Sequence, residues 1–228
     1  MAQQLILDLL PAPPPTLDNF VAGCNAAAVD ALRHCEPGRA IYLWGPDGVG
    51  RSHLLRGLCQ QMGGHYHGPT DPAVALHGLA TAETIAVRLV AIDDVQLLDA
   101  DGQAALFALY NRWRESASTR RAFALVLAGD RSPLAMEVRE DLRTRLGWDL
   151  VFRLEQLTDA ERAQALHSRA EQRGLKLSPE VVAWLLTHHE RDMGRLTSLV
   201  DALDRYSLAR HRAITLPLLK DLLASHQR

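Results

Sequence analysis

The sequence has few cysteines, almost no net charge and no long hydrophobic run. The three cysteines, Cys24, Cys35 and Cys59, form no CxxC pair, which argues against a disulfide framework and favours a reducing compartment. The 25 basic and 27 acidic residues give a net charge of -2, so no overall positive field attracts nucleic acid. No stretch approaches the ~18 apolar residues of a membrane span, and the N-terminus lacks a signal peptide's basic start. We therefore expect a cytoplasmic protein that binds no membrane.

The 228 residues are enough for one large or two small domains. Residues 1–15 are a short tail and a proline-rich linker, which is too stiff to be helical. In residues 16–155, apolar runs of strand length at 40–44, 87–92, 123–127 and 149–154 alternate with helical patterns at 26–32, 52–62 and 103–114. This alternation predicts an α/β fold with a parallel sheet covered by helices on both faces.

Residues 156–228 show only helical patterns. Thr158 and Glu161 have the spacing of a capping box, and Pro179 stands where the first turn of a helix tolerates proline. Met193, Leu196 and Val200 begin one apolar stripe at helical spacing. The sequence therefore predicts a small all-helical domain after the α/β core.

A glycine-rich segment between the first predicted strand and the next helix has the pattern of a phosphate-binding P-loop. Its glycines let backbone N–H groups surround a phosphate, and the helix N-terminus favours an anion. Arg51 replaces the usual lysine and would bind phosphate as a planar fork. Ser52 is placed to ligate Mg²⁺. The expected nucleotide contacts are Gly45, Pro46, Asp47, Gly48, Val49, Gly50, Arg51, Ser52 and His53.

An acidic pair, Asp93-Asp94, follows the predicted strand at 87–92. Asp93 is expected to hold Mg²⁺, directly or through water. Asp94 stands where many P-loop ATPases carry a glutamate that polarises the attacking water. Together with the P-loop, this pair predicts a nucleotide site with ADP or ATP and Mg²⁺ as cofactors.

Four segments, at residues 16–21, 92–96, 129–133 and 141–148, resemble the DnaA-related AAA+ family. The resemblance implies a three-layer αβα core, at 16–155, followed by a helical lid at 156–228. It also implies that Phe20 and Val21 lie near the adenine. Gly129 departs from the small hydroxyl residue that the family usually has at its sensor 1 position.

The resemblance implies roles for two further arginines. Arg145 matches the arginine finger, which reaches the γ-phosphate held by a neighbouring subunit; Arg143 is the rival assignment, and a surface ion pair of Arg145 with Asp141 or Asp149 is the plain alternative. The sensor 2 position aligns with Gly194, so Arg195, or alternatively Arg191, is expected to contact the phosphates.

The N-terminal tail contains Gln4, Leu5, Leu7 and Leu9 in an arrangement similar to the QLxLxL peptide with which some DnaA regulators bind the sliding clamp. Gln4 would hydrogen-bond the rim of a pocket, and the leucines would fill an apolar groove. A frayed tail or an added β-strand is the alternative interpretation. The expected partner is the β subunit of DNA polymerase III.

The resemblance as a whole implies a negative regulator of replication initiation. With the DNA-loaded clamp, it would stimulate hydrolysis of DnaA-bound ATP through Arg145, with weak intrinsic ATPase because of Arg51 and Asp94. No helix-turn-helix pattern follows the lid, so sequence-specific binding of duplex DNA is not expected, whereas a homo-oligomer is. The alternatives are a free-standing AAA+ ATPase of the loader or remodeller type and an adaptor that recruits DnaA to its origin. Arg112, Arg114, Arg120 and Arg121 form either a partner surface or a solvated helix end.

Overall fold

The computed structural model describes residues 14–82, 85–188 and 192–225. Two compact units are present: one spans Pro15–Gln156, and the described residues from Leu157 onward form the other. Within these ranges, no helix is both long enough and apolar enough to cross a membrane.

The first unit is built on a five-stranded sheet in which every neighbouring pair is parallel. The strand order is β2-β3-β4-β1-β5. Because all the strands run in one direction, their carboxyl ends meet at one edge, and the loops that follow them meet there too. The strands are β1 (Ala40–Trp44), β2 (His65–His67), β3 (Leu89–Ile92), β4 (Ala124–Gly129) and β5 (Leu150–Arg153).

Five helices cover this sheet. They are α1 (Ala26–Arg33), α2 (Arg51–Met62), α3 (Ala73–Thr81), α4 (Ala100–Ser116) and α5 (Glu140–Arg145). Short 3₁₀ turns lie at Gly23–Asn25, Val95–Leu97 and Pro133–Ala135.

Alternate residues of each strand enter two separate apolar clusters. Ile41 and Leu43 of β1 pack with α1 and α2, whereas Ala40 and Tyr42 belong to the cluster that contains α3, α4 and α5. This is the side-chain alternation of a strand buried on both faces. The predicted three-layer αβα architecture with a parallel sheet is therefore confirmed.

Three elements of the first unit carried no usable signal in the sequence. The strand β2 has the sequence His-Tyr-His, which is short and polar rather than an apolar run. The helix α3 is apolar around most of its circumference and shows little periodicity, and α5 is only six residues long. Periodicity alone does not detect elements of these kinds.

The second unit consists of the helices α6 (Asp159–Gln172), α7 (Pro179–His188), α8 (Met193–Arg210) and α9 (Leu216–Ser225) around one apolar cluster. The predicted capping box at its start is confirmed, since Thr158 and Glu161 bond reciprocally. Asp192 caps α8 by accepting from the backbone N–H of Arg195 at 2.7 Å. Ion pairs of Arg169 and Arg173 with Asp201 join α6 to α8.

Candidate functional site

The predicted P-loop connects the end of β1 at Trp44 to the start of α2 at Arg51. Gly50, the residue before the helix, has a φ of 92°, a left-handed conformation that strains residues with a side chain. A Cβ on Gly50 would also lie 2.5 Å from Cε2 of Phe20. Among the described side chains none caps α2, so the first N–H groups of this 12-residue helix are available to an anion.

The segment before the core packs against this loop. Thr16 and Asn19 close a turn, because each backbone N–H donates to the side chain of the other residue, at 2.9 and 3.1 Å. A ring nitrogen of His53 lies 2.9 Å from the Thr16 carbonyl oxygen, and the His53 and Phe20 rings are 5.6 Å apart. The structure thus brings Phe20 and His53, both expected nucleotide contacts, together beside Gly50.

Arg51 is buried, with 6% of its surface exposed, and its guanidinium contacts four oxygens. Nη1 donates to the carbonyl oxygens of Gly45 and Gly129, the latter at 2.9 Å. Nη2 donates to Asp47 at 3.0 Å and Asp94 at 3.1 Å. The residue that replaces the usual lysine therefore links the P-loop, the end of β4 and the acidic pair.

The acidic pair follows β3, as predicted, and its two carboxylates differ in their surroundings. Asp93 is 1% exposed; its Oδ2 accepts from the Tyr66 hydroxyl at 2.7 Å, and its Oδ1 accepts from the backbone N–H of Asp94 at 3.0 Å. Asp94 has a φ of 46°, which turns the chain sharply after the strand. Ser52 at the start of α2 and the buried Asp93 carboxylate are oxygen donors of the type that Mg²⁺ prefers.

Two residues of this site, Tyr66 and Gln96, were not among those predicted. Tyr66 lies on the unpredicted strand β2, and burial followed by its bond to Asp93 raises the pKa of its phenol. Gln96 donates to Asp94 at 2.9 Å and accepts from the backbone N–H of Asp130 at 3.2 Å. Tyr66 reaches Asp93 through the pairing of β2 with β3, and Gln96 reaches Asp130 across the ends of β3 and β4, so no local pattern in the sequence indicated these two bonds.

Gly129, which the family resemblance places at the sensor 1 position, is the last residue of β4. The nearby hydroxyl of Tyr42 donates to the Arg131 carbonyl oxygen at 2.7 Å. Burial raises the pKa of the Tyr42 hydroxyl above its ordinary value. Gly129 therefore contributes a carbonyl oxygen to this edge of the sheet and no side-chain hydroxyl.

Arg145, the expected arginine finger, ends α5 and lies on aromatic side chains. Its guanidinium carbon is 3.6 Å from the centroid of the Phe107 ring and 5.0 Å from that of Trp148. Nη1 donates to the side-chain oxygen of Asn111 on α4. Partial burial lowers the pKa of Arg145, which still leaves it charged at neutral pH.

The alternative ion pairs of Arg145 are not formed. Asp141 pairs with Arg139 at 2.7 Å, and Asp149 pairs with Arg39 at 2.7 Å. Asp141 and Asp149 thus have other arginine partners, although the charge of Asp141 still opposes the lowering of the pKa of Arg145. Its assignment as an arginine finger, in preference to Arg143, stays a prediction.

The remaining candidates lie on other elements or outside the described residues. Arg112, one of the clustered arginines, donates to the carbonyl oxygens of Ala80 and Ala82 at the end of α3, so its head group has a structural partner. Arg195 lies in the first turn of α8, the third helix of the second unit. Arg191 lies outside the described residues. So do the tail residues that are expected to bind the clamp, which are Gln4, Leu5, Leu7 and Leu9.

Two of the three cysteines are buried. Cys35 and Cys59 are free and buried, and burial raises the pKa of their thiols to about 11 and about 12. Both are therefore protonated and poorly nucleophilic at neutral pH. Among the described residues, no group of three or more histidines, cysteines or carboxylates could hold a metal ion by itself.

Comparison with known proteins gives a match for the second unit and similar solved structures for the fold. Residues 159–223 match the family model of the Hda lid domain. The crystal structure of domain III of the replication initiation protein DnaA from Thermotoga maritima is 23% identical with a TM-score of 0.67, and the match covers 96% of this chain and 99% of that one.

Two other solved structures have a similar fold. AMPPCP-bound DnaA from Aquifex aeolicus is 22% identical with a TM-score of 0.64, covering 86% of this chain and 66% of that chain. A variant of RuvB from Thermotoga maritima is 16% identical with a TM-score of 0.64, covering 93% and 72% respectively. These likenesses establish the predicted AAA+ fold.

Proposed function

We propose that this chain is a cytoplasmic negative regulator of replication initiation that acts on DnaA, because its fold is similar to that of DnaA domain III and its residues 159–223 match the model of the Hda lid domain. The observation that carries the proposal is the match of residues 159–223 to the Hda lid domain. In the sequence, these residues follow a core with the predicted P-loop. The regulator would stimulate hydrolysis of the ATP bound to DnaA, with the help of the DNA-loaded sliding clamp.

The proposal includes a nucleotide, ADP or ATP, on the P-loop of this chain. The uncapped N-terminus of α2 and the left-handed Gly50 fit a phosphate, and Phe20 with His53 offers rings beside the loop. Ser52 and Asp93 would hold Mg²⁺, which neutralises phosphate charge when it is bound. The AMPPCP-bound DnaA of Aquifex aeolicus supports this part of the proposal by analogy.

Slow intrinsic hydrolysis is also part of the proposal. Asp94 is one methylene shorter than the glutamate that activates water in many P-loop ATPases, and its Oδ1 accepts a hydrogen bond from Gln96, so it is poorly placed to act as the base. Gly129 supplies no side-chain donor at the sensor 1 position. These features suit a nucleotide-bound scaffold better than a fast motor.

Arg145 would act on the nucleotide of DnaA rather than on that of its own chain. A guanidinium that reaches the γ-phosphate of a partner stabilises transition-state charge, an effect of roughly 10³–10⁵ in rate in well-studied phosphoryl-transfer enzymes. Arg145 is charged, and its contacts with Phe107 and Asn111 restrict its rotamers, which supports this role. In the same proposal, Gln4, Leu5, Leu7 and Leu9 bind the β subunit of DNA polymerase III.

The test is single-turnover hydrolysis of radiolabelled ATP bound to DnaA, in the presence of DNA-loaded clamp. We expect the wild-type chain to accelerate hydrolysis. Arg145→Ala should abolish the acceleration, and the combined Gln4→Ala, Leu7→Ala and Leu9→Ala variant should lose it as well, because it no longer binds the clamp. Arg143→Ala, two residues away on the same helix, is the matched control and should retain activity.

Three outcomes would contradict the proposal in different ways. If Arg143→Ala is inactive and Arg145→Ala is active, the finger has been assigned to the wrong residue. If the wild type leaves DnaA-bound ATP unchanged but turns over free ATP, the loader or remodeller alternative replaces the regulator. Tight DNA binding without the clamp would favour the origin adaptor.

A further inference from the structure

The hydrogen-bonding capacity of the Arg51 head group is almost fully used within the protein. Each terminal nitrogen of a guanidinium carries two N–H groups. Nη1 donates to Gly45 and Gly129, and Nη2 donates to Asp47 and Asp94. A phosphate that binds the fork of Arg51 must therefore displace at least one of these four acceptors.

The two acceptors of Nη1 are backbone carbonyl oxygens, one at the end of β4 and the other on Gly45, the residue after β1. Gly129 ends β4 and pairs with Trp44 of β1, and its carbonyl oxygen also accepts from the backbone N–H of Gly45 at 3.3 Å. Backbone oxygens at the ends of paired strands move little without breaking the ladder. Nη1 therefore anchors the guanidinium between the P-loop and β4, a connection that the single ammonium of a lysine is poorly shaped to make.

The two acceptors of Nη2 are side-chain carboxylates, which rotate. The Asp47 side chain is 97% exposed, so water screens its charge, whereas that of Asp94 is 20% exposed and that of Arg51 is 7% exposed. Asp94 also accepts from Gln96 at 2.9 Å, so it keeps a partner when Arg51 leaves it. Nη2 is thus the terminal nitrogen of Arg51 that can exchange one anion for another. Of its two carboxylate partners, Asp94 holds it more strongly than Asp47.

We propose that Asp94 competes with the phosphates of the bound nucleotide for Nη2 of Arg51, and so limits nucleotide affinity. The inference rests on the proposed binding of a nucleotide at the P-loop. In the free protein, Arg51 pairs with Asp94. When a diphosphate binds, Nη1 stays on the two carbonyl oxygens, Nη2 turns to a phosphate oxygen, and Asp94 remains bonded to Gln96. In this proposal Asp94 limits the affinity of the chain for nucleotide, and this role is independent of any contribution to hydrolysis.

The experiment is calorimetric titration of the full chain with ADP in EDTA, which removes effects through Mg²⁺. Asp94→Asn keeps the shape of the side chain and the bond from Gln96 but removes the charge that holds Arg51. We expect it to bind ADP on the order of tenfold more tightly than wild type. Asp47→Asn removes the exposed partner of the same nitrogen and should change affinity by less than about twofold because that pair is screened.

The double variant Arg51→Lys with Asp94→Asn identifies the route of the effect. If Asp94 acts through the fork of Arg51, its substitution in the Arg51→Lys background gives a much smaller gain. An equal gain in both backgrounds means that Asp94 repels the phosphates directly, and this overturns the inference. Unchanged or weaker binding by Asp94→Asn overturns it as well; Asp94→Ala is the second variant if the first does not fold.

Failure of this inference is distinguishable from failure of the proposed function. If wild type and all variants fail to bind ADP, nucleotide binding is refuted. The proposed competition between Asp94 and the phosphates is then refuted as well. If wild type binds ADP and Asp94→Asn binds no more tightly, only the competition is refuted. The DnaA hydrolysis assay is not needed for either conclusion.

Discussion

The hydroxyl of Tyr42 occupies the space that a side chain on Gly129 would need: a Cβ built on Gly129 would lie 2.3 Å from the Tyr42 oxygen. The same Cβ would lie 2.5 Å from the end of the Met136 side chain. Tyr42 is buried in the centre of the sheet and its hydroxyl is bonded to Arg131, so it has little freedom to move. The absence of a hydroxyl residue at this sensor 1 position is therefore built into the packing.

We predict that Gly129→Ser destabilises the protein by roughly 1–3 kcal/mol, the usual cost of overpacking a buried site. Urea denaturation measures the free energy of unfolding. Adding Tyr42→Phe should recover part of the loss, because it removes the atom closest to the new Cβ. Full stability of Gly129→Ser alone would show that the site accommodates a side chain.

Asn25 joins the start of the core to its end through two reciprocal hydrogen bonds. Its side-chain amide donates to the Glu155 carbonyl oxygen at 2.9 Å, and its side-chain oxygen accepts from the Glu155 N–H at 2.8 Å. Asn25 is 4% exposed, so its replacement by alanine leaves both backbone groups without their partner.

We expect Asn25→Ala to lower the free energy of unfolding by about 1–3 kcal/mol. Asn25→Asp should be at least as harmful, since it keeps the acceptor but sets a carboxylate oxygen against the Glu155 carbonyl. Urea denaturation of both variants tests this. The matched control is Asn19→Ala, which alters a hydrogen-bonded turn at an exposed site and should cost less. Equal effects at the two sites would contradict the argument.

The glycine-rich loop between β1 and α2 and the architecture were predictable because they depend on local patterns. The strand β1, the glycine-rich loop and α2 follow one another in 23 residues, and the alternation of strands and helices indicates a parallel sheet. The helical lid was predictable for the same reason, since capping residues and apolar stripes mark each helix.

The partners of the site residues were not predictable, because the sheet brings them together from distant parts of the chain. Arg51 meets Gly129 and Asp94, which are 78 and 43 positions away. The resemblance to other P-loops assigned Arg51 to phosphate, and only the register of β1 against β4 shows that it also bonds the protein. Tyr66 was missed because a three-residue polar strand gives no periodic signal.

Tyr66 positions the expected Mg²⁺ ligand, since its hydroxyl donates to Asp93 at 2.7 Å. We predict that Tyr66→Phe reduces the effect of Mg²⁺ on nucleotide binding by roughly tenfold, the lower end of what outer hydrogen bonds to metal ligands contribute. The measurement is ADP affinity in Mg²⁺ and in EDTA. Affinity in EDTA should stay close to that of wild type.

The control for this variant is Tyr206→Phe in the lid, which removes a hydroxyl far along the chain from the acidic pair and should leave the Mg²⁺ effect unchanged. A loss of ADP affinity by Tyr66→Phe that is equal in Mg²⁺ and in EDTA would show a general effect on the site. In that case Tyr66 would not act through Asp93.

His67 makes stability dependent on pH because it is buried without a hydrogen-bonding partner among the described residues. It ends β2 and is 1% exposed, and neither ring nitrogen is bonded there. Burial lowers its pKa below the ordinary 6.5, while Asp71 opposes the shift. The fold therefore favours the neutral ring. Above pH 6.5 the ring is neutral in both states, and its full contribution to stability is present.

As the pH falls below 6.5, the unfolded chain takes up the proton first, and stability is lost until the pH passes the lower pKa of the folded protein. We predict that the free energy of unfolding in urea declines from pH 7.5 to 5.5 in wild type and declines less in His67→Leu. The exposed His77, replaced by glutamine, is the control and should behave like wild type. A slope in His67→Leu as steep as in wild type would assign the pH dependence to other groups.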